Sequence, residues 1–562
     1  MTNKKIASVL KDTASLLVLT GGNPFRARAF ESAARTLERM EESAEEKLAD
    51  GTLTQVKGIG DGLAAQILEL TERGSFGLRD ELLEAIPPGL HDVLRVKGLG
   101  AKKVRRLWQE LDVTSLETLE EVAQTGRLAD LDGFGKKTQE NILANIQQLR
   151  TYRQRRRYAD ALAEALPVLE KLRAVPDVQR AELSGELRRN LETVGEARLI
   201  AAATDVEAVR EALGLEEEAV STTSEYVLKG ALPDGLPLRV RVVPPQRFGT
   251  AWWSDTGSET HLQAFKQEAG PPDVHTEEAD VFSSAGLAFI PPELREGRGE
   301  IEAARDDALP DLLSTDDLRG VLHNHSTYSD GAHSLEAMAE AARQMGFAYF
   351  GICDHSQSLT VANGLSPSDV RAQHEEIGRL NTQYAEQSGS PFHVFHGIES
   401  DILDDGSLDY SDEILALFDF VVASVHSGFN MSEDEMTERI IRAVTNPFTT
   451  ILGHATGRLL LAREGYAIDH ERVIAACAKH GVAIELNANP YRLDLDWRWV
   501  RRATEQGILI AINPDAHSTD QLGYMRWGVA VARKGWLTAA QCLNAKPLPD
   551  FTSWLEARKA AV

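Results

Sequence analysis

Val321-Leu322-His323-Asn324-His325-Ser326-Thr327-Tyr328-Ser329-Asp330-Gly331 leads a short apolar strand into two histidines at i and i+2, then an aspartate in a Ser-Asp-Gly turn. Strand alternation places both imidazoles on one face of the strand end. A lone His-x-His carries little weight, but the pattern recurs downstream. Ile352-Cys353-Asp354-His355, His396-Gly397-Ile398-Glu399, Val421-Val422-Ala423-Ser424-Val425-His426, Ile451-Leu452-Gly453-His454 and Ile510-Ala511-Ile512-Asn513-Pro514-Asp515-Ala516-His517 each run an apolar segment into a His, a Glu or an Asp-x-His. Helical stretches such as 334–346 and 469–481 lie between them. Strands that repeatedly end in ligand-type residues and alternate with helices predict a distorted β/α barrel with its site at the C-terminal strand ends.

The candidate metal ligands are therefore His323, His325, Asp330, His355, Glu399, His426, His454, Asp515 and His517. Imidazole nitrogens mixed with carboxylate oxygens suit zinc, manganese or iron better than calcium or magnesium, and so many donors exceed the needs of one tetrahedral ion. Two or three divalent ions are expected. Such a cluster activates water as a nucleophile and neutralises charge on a phosphate during in-line displacement. His333, His374, His393, His396, His470 and His480 do not close apolar runs in this way and read as ordinary core or surface groups.

At 562 residues the chain is too long for one core, so three or more units are expected. Its net charge of −26 argues against a uniformly basic nucleic-acid binder but leaves room for local basic patches. Cys353, Cys477 and Cys542 are widely spaced, which suggests a reducing compartment and no disulfide framework. The opening residues lack a long apolar core, no run approaches a membrane span, and a cytoplasmic protein is expected.

The first 150 residues read as helical throughout. An amphipathic helix covers 7–19, and Asn23-Pro24 opens the next with a cap and a first-turn proline. A short phrase then repeats: Val56-Lys57-Gly58-Ile59-Gly60, Val96-Lys97-Gly98-Leu99-Gly100 and Leu131-Asp132-Gly133-Phe134-Gly135, each followed by a helix. Gly-apolar-Gly between helices makes a tight hairpin whose backbone N–H groups face outward at a helix N-terminus, ready for phosphate. This is the helix-hairpin-helix pattern. Lys57, Lys97, Lys102, Lys103, Lys136 and Lys137 lie beside the glycines to neutralise a DNA backbone without reading its sequence. The run Arg153-Gln154-Arg155-Arg156-Arg157 either extends that basic face or is a solvated helix surface.

From about Arg319 to Val562 the chain resembles the polymerase-and-histidinol-phosphatase (PHP) domain. All nine candidate ligands fall where that family carries its metal ligands, and Glu399 falls where a carboxylate bridges two metals. Asn487-Ala488-Asn489-Pro490, Arg492-Leu493-Asp494 and His454-Ala455-Thr456-Gly457-Arg458 resemble the version found in bacterial family X DNA polymerases. The stretch from Leu183-Ser184-Gly185 to Thr193-Val194-Gly195, with Pro244-Pro245-Gln246-Arg247-Phe248-Gly249, Thr256-Gly257-Ser258 and Ile290-Pro291-Pro292-Glu293-Leu294-Arg295, is similar to that family's palm and thumb. The implied organisation is a DNA-end-binding helical domain (1–80), a fingers-like hairpin region (81–150), a palm (151–245), a thumb and linker (246–318) and the PHP domain (319–562).

The palm departs from the family at its chemistry. Where the resemblance implies Asp-x-Asp and a third aspartate on a neighbouring strand, this chain has Glu196, Arg198 and Arg239. Alternation puts Glu196 and Arg198 on one face, where they can pair with each other. At about 4 Å even a screened charge pair is worth about 1–4 kcal/mol, so magnesium should not bind there. Asp205, Glu207 and Asp234 are poorly placed substitutes, and Asp205 reads as the cap of a helix starting near Val206. Ser184, Gly185 and Arg188 match the nucleotide-phosphate segment and either bind phosphate or keep the fold. Gln66 stands where some members carry a Schiff-base lysine, and an amide cannot do that chemistry.

The resemblance implies a DNA-repair protein, acting in the manner of base excision repair on gapped, nicked or 3′-recessed DNA, with manganese-dependent 3′–5′ exonuclease, abasic-site endonuclease or 3′-phosphatase activity in the PHP domain. Two alternatives stay open at this level. One is a gap-filling polymerase with unusual metal ligands; the other is a DNA-binding scaffold with a structural metal cluster.

Overall fold

In the computed structural model, which describes residues 1–562 except Thr2, Arg39, Glu41, 221–224, 388–390 and 561–562, the chain divides into two units, Met1–Arg153 and Gln154–Val562. The first unit is helical among its described residues. Helix Asn3–Thr20 packs on helix Pro24–Glu38, and Asn23 Oδ1 accepts the Phe25 N–H at 2.8 Å, so the expected cap is present. The three glycine phrases fold alike. Gly58, Gly98 and Gly133 take left-handed φ angles of 94°, 88° and 83°, which side chains disfavour. The next residues, Ile59, Leu99 and Phe134, are buried, and each donates its N–H 3.0 Å to the carbonyl three residues back. Helices Asp61–Arg73, Ala101–Leu111 and Lys136–Arg153 follow.

These hairpins leave backbone donors unclaimed. The helices that start after Gly60 and Gly100 have no side-chain cap, whereas Ser43 and Ser115 cap the neighbouring helices Ala44–Ala49 and Leu116–Gln124. An uncapped N-terminus presents free N–H groups and the positive end of the helix dipole.

The second unit opens with a five-stranded sheet, β1 (Arg180–Ser184), β2 (Ala197–Ala202), β3 (Glu216–Val220), β4 (Tyr226–Ala231) and β5 (Pro237–Val243), ordered β1-β2-β5-β4-β3. Only β2 and β5 run parallel. Alternation on β2 splits its side chains: Leu199 and Ala201 join the core under helix Tyr158–Arg173, while Ile200 and Ala202 meet Phe248 and Ala251 of helix Phe248–Thr256. Trp253, Phe265, Phe282 and Ile290 then centre a small thumb-like helical layer. The arginine run matches neither of its expected roles. Helix Lys136–Arg153 stops at Arg153, Arg156–Arg157 pairs as a short strand with Thr193–Val194, and Arg155, Arg156 and Arg157 are engaged by Glu186, Asp234 and Asp160. Acidic partners more than thirty residues away, invisible to local pattern, claim two of these cations.

Seven parallel strands complete the unit: β6 (Gly320–Val321), β7 (Tyr349–Ile352), β8 (His393–Asp401), β9 (Phe420–Ser424), β10 (Ile451–Leu452), β11 (Ala483–Asn487) and β12 (Ile510–Asn513), neighbours in chain order. A parallel bridge between Asn324 and Ala516, with the His325 N–H 2.8 Å from the Ala516 carbonyl, brings the two edges together beyond the strand ends. The result is the expected distorted β/α barrel. Two of the crossover helices have the ends their sequences imply: Ser334 caps Leu335–Gln344, and Asp469 and left-handed Gly481 bound His470–His480.

Alternation separates two cores. Val321, Phe350, Ile352, Val421, Ile484 and Ile512 face the outer helices, whereas Leu322, Cys353, Phe420, Val422, Ile451 and Ala511 face inward. The Phe420 ring occupies space that Gly351 and Gly397 leave: a Cβ at Gly397 would sit 2.3 Å from the ring and 2.7 Å from the Ile352 carbonyl oxygen. Gly397→Ala should therefore destabilise the second unit by about 1–3 kcal/mol. A urea melt of that unit with an unchanged midpoint would show that the barrel floor can relax around the methyl group.

Candidate metal centre

The predicted ligands meet at the C-terminal mouth of the barrel. His323 and His325 follow β6, His355 follows β7, Glu399 lies on β8, His426 and His454 follow β9 and β10, and Asp515 and His517 follow β12. Glu399 is at the middle. Its Oε1 is 2.9 Å from His454 Nε2 and 3.3 Å from both His323 Nε2 and His426 Nε2; its Oε2 is 2.8 Å from His355 Nδ1. Asp515 Oδ1 lies 3.1 Å from His325 Nε2, and Asp330, at the more exposed rim, lies 3.2 Å from His517 Nε2 and 3.5 Å from His355 Nε2. Three overlapping donor groups can each surround an ion: His325, Asp330, His355 and His517; His323, His325 and Asp515; His355, Glu399 and His426.

These donors suit cations better than one another. His323 Nε2 and His355 Nδ1 are buried and face Glu399, yet make no aligned hydrogen bond. Buried polar atoms normally have a partner, and lone pairs converging off-axis on a shared carboxylate fit an ion between them. The backbone is also strained here: His323 and Asp515 both adopt left-handed φ angles, 53° and 52°. This corrects the alternation argument for His323 and His325. The strand ends at Val321, and the two rings, 5.3 Å apart, are brought together by a left-handed turn and by pairing to Ala516.

Electrostatics point the same way. Burial alone would discharge the imidazoles, but Glu399 and Asp401 lift His426 to about 10, and Asp330 and Asp515 lift His517 to about 9. Glu485, Glu399 and Asp515 likewise overcome burial to raise His323. Burial and the neighbouring His517 and His355 push His325 down to about 3. Although burial opposes it, the imidazoles hold Glu399 and Asp515 well below the usual carboxylate range. The anionic field that retains those protons is one that divalent cations would neutralise in their place.

Sequence reasoning missed the groups behind the imidazoles. Glu485 on β11 is fully buried; its Oε2 is 2.6 Å from His323 Nδ1 and accepts from Asn513 at 2.9 Å, while its Oε1 accepts from Asn487 at 2.9 Å and the His454 N–H at 3.1 Å. Asp401 holds His426 Nδ1. Asp354 accepts from the Ser326 N–H and hydroxyl, both at 2.7 Å, and so fixes the loop after His325. Carboxylates in these positions set the ring orientation of ligating histidines. A signal existed for Glu485: Ile484-Glu485-Leu486-Asn487 places an acid and an amide on the inner face of an apolar strand, where a charge needs a partner.

The palm residues are differently occupied. Glu196 Oε2 is 2.6 Å from Arg198 Nε, and Arg198 and Arg239 are register neighbours on β2 and β5. Arg239 lies 3.7 Å from the buried Asp255, which also accepts the Ser184 hydroxyl at 2.5 Å. Arg188 grips Glu278 with two hydrogen bonds of 2.6 Å and stacks 3.4 Å from the Trp252 ring centre. Gly185 is left-handed and tight against the Arg198 side chain. Asp205 caps helix Val206–Leu213 through the Ala208 N–H, Glu207 pairs with Arg210, and Asp234 with Arg156.

Comparison with known proteins agrees with this architecture. Residues 1–76 match a helix-hairpin-helix domain family, 90–148 a SAM-like helix-hairpin-helix tandem, and 322–489 the PHP domain. The chain is 36% identical to "DNA polymerase/3′-5′ exonuclease PolX" of Bacillus subtilis, over 99% of this chain and all of that protein. Its C-terminal part is similar to "probable phosphatases" of Thermoanaerobacter, 27% identical over 40% of this chain and 90% of that protein, and of Caldanaerobacter subterraneus, 28% identical over 37% and 80%. The alignment with the Bacillus protein spans the hairpins, the palm-like sheet and the histidine-lined barrel of this chain alike, and the chain belongs to the bacterial family X DNA polymerases that carry a C-terminal PHP domain.

Proposed function

We propose that this chain is a DNA-repair nuclease that hydrolyses phosphodiester bonds at DNA 3′ ends in the barrel mouth. His323, His325, Asp330, His355, Glu399, His426, His454, Asp515 and His517 would hold two or three divalent ions, manganese or zinc, with iron a chemically acceptable third choice. The observation that carries the reading is the convergence of four imidazoles on the two oxygens of Glu399. Bound metals supply a nucleophilic water and neutralise charge on the phosphate. The chain's own residues supply the geometry: Glu399 faces different imidazoles with each oxygen, as a bridging carboxylate would, and Glu485 and Asp401 fix two of the rings. The names of the Bacillus and Thermoanaerobacter relatives both describe phosphoester chemistry, which supports 3′–5′ exonuclease as the main activity, with abasic-site endonuclease and 3′-phosphatase as related uses of one centre.

The palm, in this reading, no longer polymerises. Arg198 occupies Glu196, Arg239 faces Asp255, and Glu278 takes the arginine that would hold a nucleotide phosphate. Among the described residues, the places where the family resemblance puts the magnesium-binding aspartates hold a paired glutamate and two arginines. The hairpins would hold gapped, nicked or 3′-recessed DNA by its backbone through Gly58, Gly60, Gly98, Gly100, Gly133 and Gly135 and the exposed Lys57, Lys102, Lys103, Lys136 and Lys137.

On a labelled gapped duplex with Mn²⁺, the wild type should shorten the primer, a chelator should stop it, and His323→Ala/His325→Ala should abolish it. Primer lengthened with deoxynucleotides and still lengthened by that double variant would overturn the account of the palm. Glu485→Gln should weaken Mn²⁺ binding about 10–100-fold by direct titration while the far-ultraviolet circular dichroism stays unchanged. Replacing Lys102 and Lys103 by alanine should lower the slope of log affinity against log salt by about 0.9 for each phosphate that these lysines neutralise, measured by anisotropy on labelled duplex; an unaltered slope would remove both lysines from the interface.

A further inference from the structure

Tyr491 is half exposed, at 51%, in the loop that follows β11. The loop's neighbours fix its place beside the metal centre. Asn487 donates to Asp515 Oδ2 at 3.1 Å, and the Arg492 guanidinium lies 3.5 Å from the same oxygen. The Tyr491 carbonyl accepts the Leu460 N–H at 2.7 Å and its own N–H reaches Asn489 Oδ1 at 3.0 Å, so the loop is pinned at this residue. Arg157, from the start of the palm in the same unit, lays its guanidinium over the ring, 3.7 Å from its centre, and is itself tied to Asp160 at 2.7 Å. Tyr524 closes the cluster; it ends the short helix Thr519–Tyr524 that begins just after His517, and lies near enough for Tyr491 and Arg157 to act on its hydroxyl.

A surface stitch between palm and barrel would use only the ring face that Arg157 covers. It does not explain an aromatic ring left half exposed in a backbone-pinned loop beside Asp515. We infer that Tyr491, backed by Arg157, is a stacking site for an unpaired nucleobase of the strand whose 3′ end enters the metal centre. The inference rests on the phosphodiesterase reading above and assigns one residue of this chain to the recognition of the strand's terminal bases. Stacking tolerates any base because every base has a π face, and a guanidinium behind the ring adds positive charge close to the backbone. A paired terminal base has its faces occupied by the duplex, so blunt ends would have to open first.

The test compares an oligonucleotide with the same strand carrying tetrahydrofuran abasic residues at its last two positions. In the wild type with Mn²⁺, KM should be about tenfold higher for the abasic strand. That ratio should fall to about one in Tyr491→Ala and stay near ten in Tyr491→Phe, which keeps the ring. Equal ratios in all three proteins, or a loss of kcat with the ratio intact, would overturn the stacking site. A second readout separates this inference from the reading beneath it: 2-aminopurine at the 3′ terminus should be quenched on binding to wild type and to Tyr491→Phe but not to Tyr491→Ala. Quenching without any strand hydrolysis would retain the base site and sink the phosphodiesterase; hydrolysis without ring-dependent quenching would do the reverse.

Discussion

A buried carboxylate cannot stay charged in a barrel without cations around it, and Glu399 is the group that the rest of the C-terminal domain accommodates. Imidazoles from four other strand ends crowd its two oxygens, and each of those strand ends must reach the same point in space. That requirement explains why all seven strands run parallel, why the edges meet through Asn324 and Ala516, and why His323 and Asp515 tolerate left-handed backbone. It also explains the acidic groups behind the rings. Glu485 and Asp401 stand where the imidazoles need fixed acceptors and Asp354 where the loop after His325 does, and each carboxylate is in turn satisfied by those donors.

The palm follows the opposite logic. It has a sheet with apolar layers, and the polar groups at its centre pair with one another: Glu196 with Arg198, Asp255 with Ser184 and Arg239, Glu278 with Arg188 and Arg295. Each of these carboxylates is already held by an arginine or a hydroxyl of the protein itself. The palm still has a physical task, because the barrel rests on it. Lys534, almost fully buried on helix Met525–Lys534, donates to the Arg189 and Glu293 carbonyls and pairs with Glu296, while Glu192 accepts from Trp497 and Arg498. A buried lysine needs all of those acceptors, and losing either side would leave a charge unpaired.

The hairpin unit solves a third problem. An acidic chain binds a polyanion through local devices, and uncapped helix N-termini with exposed lysines are local by construction. No part of that arrangement depends on the net charge of the whole molecule.

Much of this was written in short-range pattern. Strand alternation and apolar runs ending in His or Glu identified the barrel and its nine candidate ligands, Gly-apolar-Gly identified the hairpins, and Glu196-x-Arg198 announced its own ion pair, because two residues apart on a strand share a face. Only the tertiary structure decided the rest. His323 and Glu485 are 162 residues apart, Arg188 and Glu278 are 90, and Arg156 and Asp234 are 78, and no spacing rule links such pairs. The same holds for His323 and His325, whose proximity comes from closure against Ala516 and not from the alternation that predicted it. Local sequence sets which side chains stand at the strand ends; barrel closure decides which of them meet, since burial forces each charge to the nearest partner that folding brings within reach.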